Sequence, residues 1–203
     1  MKKAIIFDFD GTLVDLHQDA DMVRKRLRDV SRRYGYNLEF EKILEDIERI
    51  GAIDDQMKSI LLDILNEEDL KLVNKATLID SSNRICETLK ERGFLIGIFT
   101  RNYSELVHRL LEKFSFPKFD IVLGRYEGGK NKQEQLIYIL HYLDLEPHQA
   151  VVVGDYIGDI IAAKRVGCYT IGVESGRCGR EELLRYGADE VIRDVGEILS
   201  VIE

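Results

Sequence analysis

Two aspartates in alternate positions, Asp8 and Asp10, close the apolar run "KAIIFDFD" and stand directly before Gly11 and Thr12. Far along the chain Thr100 ends the run "LIGIF", Asp155 ends "VVVG", and Asp159 follows one helical turn later. Alternate residues at a strand end point the same way, so Asp8 and Asp10 would present like charges on one side, an arrangement that asks for a partner. A lone Asp at a strand end is ordinarily a turn or helix cap, and a lone Thr there says little. A set of carboxylates gathered at one edge is different, because it would repel itself without a cation. Its hard oxygen donors suit Mg²⁺, which is commonly bound through one or two carboxylates together with substrate phosphate oxygens. A Ca²⁺ loop of the EF-hand kind does not fit, since Gly11 comes too early and no later acidic ligand has the required offset.

These residues gather only if the right elements carry them. The first run, apolar on both faces and ending abruptly, reads as a buried parallel strand. From about residue 17 to 75 the texture changes to amphipathic stretches, "MVRKRLRDVSRRYG", "FEKILEDIERIG", "DDQMKSILLDIL" and "EEDLKLVNKA", punctuated by Gly35 and Gly51. Their apolar spacing predicts a small unit of about four helices. After residue 78 helices and strands alternate through "FLIGIFT", "FDIVLG", "AVVVGD" and "CYTIGV". Repeated βα units predict a parallel sheet covered by helices, with right-handed connections. The first strand must join that sheet, which makes the helical stretch an insertion. The expected organisation is an α/β, Rossmann-like core of residues 1–15 and 79–203 with an inserted helical domain of residues 16–78. In such sheets ligands bind outside the carboxyl ends of the strands, where Asp8, Asp10, Thr100, Asp155 and Asp159 all fall.

With 203 residues, 45% of them hydrophobic, the chain can bury one substantial core. Its net charge of -8 argues against a nucleic-acid polymer or an acidic membrane as partner, because both require a basic face. Three cysteines, Cys86, Cys168 and Cys178, show no metal-type spacing, and neither a secretory leader nor a long apolar span is evident. A cytoplasmic setting is expected, as monomer or homodimer.

"DFDGT" at 8–12 resembles the signature of the haloacid-dehalogenase superfamily of phosphotransferases. Three further motifs of that family follow in order: Thr100 in "IFTRN", a lysine in "GGKNK", and Asp155 and Asp159 in "VGDYIGD". The resemblance covers roughly residues 1–15 and 79–203. It implies a Mg²⁺-dependent phosphatase acting on a small phosphorylated metabolite, with Asp8 as nucleophile and Asp10 as general acid and base. Thr12 would orient Asp10, and backbone N–H groups around Gly11 together with the Thr100 hydroxyl would bind phosphoryl oxygens. Asp8, the Asp10 carbonyl and Asp155 would hold the metal, with Asp159 just behind them. Arg101 and Asn102, directly after Thr100, are placed to touch a ligand.

The lysine has two candidates. Lys130 lies 25 residues before Asp155, the gap usual in the family, whereas Lys132 falls at a helix start and reads as a surface residue. Lys130 is therefore the expected catalytic lysine, with Asn131 standing where relatives usually carry proline. The same stretch, "GRYEGGKNKQ", is nearly a nucleotide-binding P-loop, but Asn131 occupies the position that needs Ser or Thr. The insertion matches the cap of one branch of the family, a domain expected to close over the site and select substrate. There Arg49, in the loop at 49–55, is a candidate for a substrate carboxylate or a solvated helix-end charge. Phosphoglycolate phosphatase is the nearest functional label. A β-phosphoglucomutase-like phosphotransferase is the alternative, and a receiver-like phosphoacceptor, which has no use for Asp10, is the more distant one.

Overall fold

The computed structural model describes residues 2–202 and divides the chain into two compact units, Met1–Leu16 with Ala76–Glu203, and His17–Lys75. In chain order the elements begin with β1 (Ala4–Phe7), β2 (Val14–Asp15), α1 (Ala20–Arg33), α2 (Ile43–Gly51) and α3 (Asp55–Lys71). They continue with β3 (Thr77–Leu78), α4 (Ser82–Glu91), β4 (Leu95–Phe99), α5 (Ser104–Lys113), β5 (Ile121–Leu123) and α6 (Lys132–Tyr142). The series continues with β6 (Ala150–Gly154), α7 (Ile157–Val166), β7 (Tyr169–Val173), α8 (Arg180–Arg185) and β8 (Glu190–Ile192), and a 3-10 helix at Val195–Ser200 follows.

In the first unit six parallel strands form one sheet in the order β5-β4-β1-β6-β7-β8. Every residue of β1 is buried, as a central strand with both faces covered requires. On one side Ala4, Ile6, Phe99 and Val152 pack against Leu136 and Ile139 of α6. From β1 the sheet grows first through β4 to β5, then resumes on the other side of β1 with β6, β7 and β8. That reversal is a topological switch point, where a crevice opens beyond the carboxyl ends of the strands. Asp8 leaves β1 with its N–H donating to the Val153 carbonyl at 2.8 Å, so the three central strands end side by side.

A second, two-stranded ribbon was not evident from periodicity: Val14 pairs with Leu78 and Asp15 with Thr77, antiparallel. Strands of two residues are too short to show an alternation.

The second unit holds three α-helices instead of the four expected. "DDQMKSILLDIL" and "EEDLKLVNKA" merge into α3, because Asn66 between them is a weak breaker and neither Gly nor Pro interrupts the turn. Asp19 and Asp54 cap α1 and α3 by accepting from Met22 N and Met57 N. Val23, Leu27, Phe40, Ile47, Ile50, Met57 and Leu61 form this unit's own buried core. Arg49 pairs with Asp46 at 3.0 Å and is largely exposed, the arrangement of a solvated helix-end charge. Among the described residues no helix is long and apolar enough to cross a membrane.

Candidate active site

The carboxyl ends of β1 and β6 bring Asp8, Asp155 and Asp159 together, all buried, with one oxygen of each within 4.8 Å of the others. Asp159 is placed by the first turn of α7, where one of its oxygens also accepts from Tyr156 N at 3.2 Å. Asp155 is held from the loop after β7: Arg177 N donates to its Oδ2 at 2.7 Å, and its carbonyl accepts from Cys178 N at 3.1 Å. Gly11 and Gly176 both approach this carboxylate so closely that a Cβ on either would run into it, and Gly11 in addition has a φ of +85°. Glycine is therefore required at position 11 for both space and backbone conformation.

The lysine expectation is corrected here. Lys132, not Lys130, reaches the carboxylates: its Nζ donates to Asp8 Oδ1 and to Asp159 Oδ1, and it lies 4.8 Å from the centroid of the Phe99 ring. Lys130 is exposed, with its backbone N–H bonded to Glu134 Oε2 at 2.7 Å and its carbonyl accepting from Arg101 Nη1. The reason lies in the turn. Gly128 and Gly129 adopt positive φ, and Asn131 caps α6 by accepting from Glu134 N, so the first helical residue is Lys132. Reaching from the first turn of α6, Lys132 is only 16% exposed in its side chain.

Asp10 takes a different direction from Asp8. Its Oδ1 accepts from Leu16 N at 3.0 Å and its Oδ2 from Arg177 Nη2 at 2.7 Å. Thr12, expected to orient it, does not: the Thr12 hydroxyl is buried without a hydrogen-bond partner among the described residues. The buried Thr100 hydroxyl donates to Asn102 Oδ1 at 2.7 Å, which fixes that pair on the β4 side of Asp8. Arg101 is bound back onto the Lys130 carbonyl. Behind them Gln135, fully buried, donates from Nε2 to the carbonyls of Thr100, Gly124 and Glu127 at 3.2, 2.7 and 3.1 Å, tying the loops after β4 and β5 together. Neither Gln135 nor Arg177 was picked out by motif; Arg177 alone carried a usable signal, a cation in a Gly- and Ser-rich loop after a core strand.

The electrostatics follow from burial. Burial raises Asp155 to about 7, with Asp8 and then Asp159 adding to the effect. Burial likewise raises Asp159 to about 6, against the opposing charge of Lys132. Asp10 is also raised by burial, opposed by Arg177. Carboxylates crowded in this way favour either a proton or a metal cation. The donors are all oxygen, which fits Mg²⁺ and not a soft thiophilic metal.

The chain resembles known proteins along nearly its whole length. The family profile described as haloacid dehalogenase-like hydrolase matches residues 5–173. Pyrophosphatase PpaX of Anoxybacillus flavithermus is 28% identical over 98% of this chain and 95% of that protein. A phosphoglycolate phosphatase of Vibrio cholerae is 26% identical over 98% of this chain and 96% of its own. Among solved structures, a beta-phosphoglucomutase of Clostridium difficile superposes with a TM-score of 0.72 at 18% identity, covering 98% of this chain and 93% of that one, a likeness of fold.

Proposed function

Because this chain belongs to the haloacid dehalogenase-like hydrolase family and is an enzyme of the phosphatase kind, we propose that it hydrolyses a small phosphorylated metabolite through an aspartyl-phosphate on Asp8, with Mg²⁺ as cofactor. The observation that carries this reading is the position of Asp8: it stands just beyond the carboxyl end of the central strand β1, pairs with Lys132, and lies with Asp155 and Asp159 in one oxygen cluster. A phosphate ester resists attack largely because an anionic nucleophile must approach an anionic centre, so positioned positive charge is the main requirement. Lys132 supplies it beside the nucleophile.

In the first step an Asp8 oxygen forms a bond to phosphorus while the bond to the leaving oxygen breaks, and that oxygen takes a proton from Asp10. In the second, Asp10 removes a proton from water, the water oxygen attacks phosphorus, and Asp8 leaves as carboxylate with release of inorganic phosphate. A carboxyl group raised by burial is suited to holding the proton that the first step uses. The Thr100 hydroxyl, by turning away from Asn102 Oδ1, and the Asn102 side-chain N–H groups would donate to the phosphoryl oxygens, together with backbone N–H groups beside Gly11, whose own N–H is bonded to the Val14 carbonyl. Asp8, Asp155 and the Asp10 carbonyl would hold Mg²⁺, with Asp159 as a further oxygen donor, and the metal would neutralise developing phosphoryl charge. A cytoplasmic setting suits this chemistry and the three buried free thiols.

Phosphate release is expected from a panel of phosphoglycolate, sugar phosphates, nucleotides and pyrophosphate when Mg²⁺ is present, and to vanish with chelator and return on adding Mg²⁺. Release unaffected by chelation would remove the metal from the reading, and isomerisation of a sugar phosphate without net phosphate release would favour a mutase. Asp10→Asn is expected to slow turnover by about 10²- to 10⁴-fold. A rate equal to that of the parent enzyme would show that Asp10 handles no proton.

A further inference from the structure

We infer that Arg177 is a specificity-determining residue of the core, selecting phosphate compounds whose leaving group itself carries an anionic group. This inference rests on the proposed reading of Asp8 and Asp10. Arg177 lies outside every motif that the catalytic reading uses, in the loop between β7 and α8. That loop is built into the site. Its backbone donates from Arg177 N and Cys178 N to the side chain and carbonyl of Asp155, and Gly176 packs directly against the Asp155 carboxylate. Glu174 N and Ser175 N are bonded to the carbonyls of Ile192 and Arg193, which fixes the loop from its other end. The arginine side chain therefore starts from a rigid base although it is 57% exposed itself.

Its guanidinium meets the site at Asp10 and not at Asp8, where Lys132 stands. The division matters, because Asp8 receives the phosphoryl group while Asp10 protonates the leaving oxygen. Arg177 thus borders the leaving group, and Lys132 borders the group being transferred. A leaving group with its own carboxylate or phosphate must approach a site crowded by Asp8, Asp155 and Asp159, where Lys132 stands on the Asp8 side and Arg177 is the cation bonded on the Asp10 side. A guanidinium offers several donors in a planar fork, so Arg177 can keep one bond to Asp10 and give others to a carboxylate or phosphate oxygen.

The test compares two substrates that differ in this respect alone: phosphoglycolate, and 2-hydroxyethyl phosphate, in which a hydroxymethyl group replaces the carboxylate. Pyrophosphate serves as a second anionic case. For Arg177→Ala, the preference for phosphoglycolate over 2-hydroxyethyl phosphate, taken as the ratio of kcat/KM values, is expected to fall by about ten- to a hundredfold, the scale of one charge-assisted hydrogen bond. The loss should appear mainly in KM for the anionic substrates, and Arg177→Lys should restore part of it. An equal loss on both substrates, in kcat, would show that Arg177 only positions Asp10 and would overturn the inference. Absence of phosphate release from the parent enzyme with every substrate would instead strike at the proposed function, so the two failures are distinct.

Discussion

Asp8→Ala abolishes phosphate release while leaving the protein folded. Asp8 is the group that forms the bond to phosphorus, so its loss is expected to reduce kcat by at least about 10⁴-fold, the scale on which removal of a nucleophile is felt. The fold should survive, because Asp8 stands just beyond β1 and the four residues of that strand, Ala4 to Phe7, keep their partners on both sides. A circular dichroism spectrum like that of the parent, with no measurable phosphate release, is the expected pair of results. Turnover near the parent rate in the purified variant would sink the nucleophile assignment. Radiolabel from a slow phosphorylated substrate, trapped by rapid quench on the parent and missing from the variant, would support it directly.

The second large effect separates the two lysines. Lys132→Ala removes the cation shared by Asp8 and Asp159. The transition state then loses its charge stabilisation beside the nucleophile, an effect expected at about 10²- to 10³-fold in kcat. Stability should fall as well, since removing one partner of a buried ion pair typically costs about 3–5 kcal/mol; thermal unfolding would register it as a lowered Tm. Lys130→Ala, by contrast, removes an exposed side chain, and its stability should stay within about 0.5 kcal/mol with turnover hardly altered. The opposite ranking in kcat, measured on folded protein, would show that Lys130 is the residue that matters.

This contrast marks where the amino-acid sequence is legible and where it is not. The sheet could be anticipated because β1, β4, β6 and β7 are apolar runs with abrupt polar ends, and the carboxylates could be located because they are those ends. Residues fixed to strand ends have little freedom to be elsewhere. Lys130 and Lys132 lie instead in a turn entered through Gly128 and Gly129, whose positive φ values let the chain change direction within two residues. Counting along the chain to Asp155 cannot tell which lysine such a turn presents; the capping bond at Asn131 decides it, by setting where α6 begins. Thr12 shows the same limit from the other direction. Its place in "DFDGT" suggested a bond to Asp10, but Leu16 N and Arg177 hold that carboxylate. Leu16 lies six residues further along, outside the quoted motif, and Arg177 is 167 residues away, so the motif by itself indicates neither. The merged α3 was missed for a third reason, that tertiary packing carries a helix through a weak breaker such as Asn66.

The short ribbon of β2 and β3 has an evolutionary consequence. The chain departs for the helical unit at Val14 and Asp15 and returns at Thr77 and Leu78, and these residues are paired with one another. The sheet therefore meets the intervening segment as a loop whose ends are already closed. Closure entropy rises only with the logarithm of loop length, each doubling costing about 0.6 kcal/mol. Lengthening, shortening or exchanging that segment would thus tax the parallel sheet very little, and the clasp offers a junction at which new domains can be tried without rebuilding the catalytic strands.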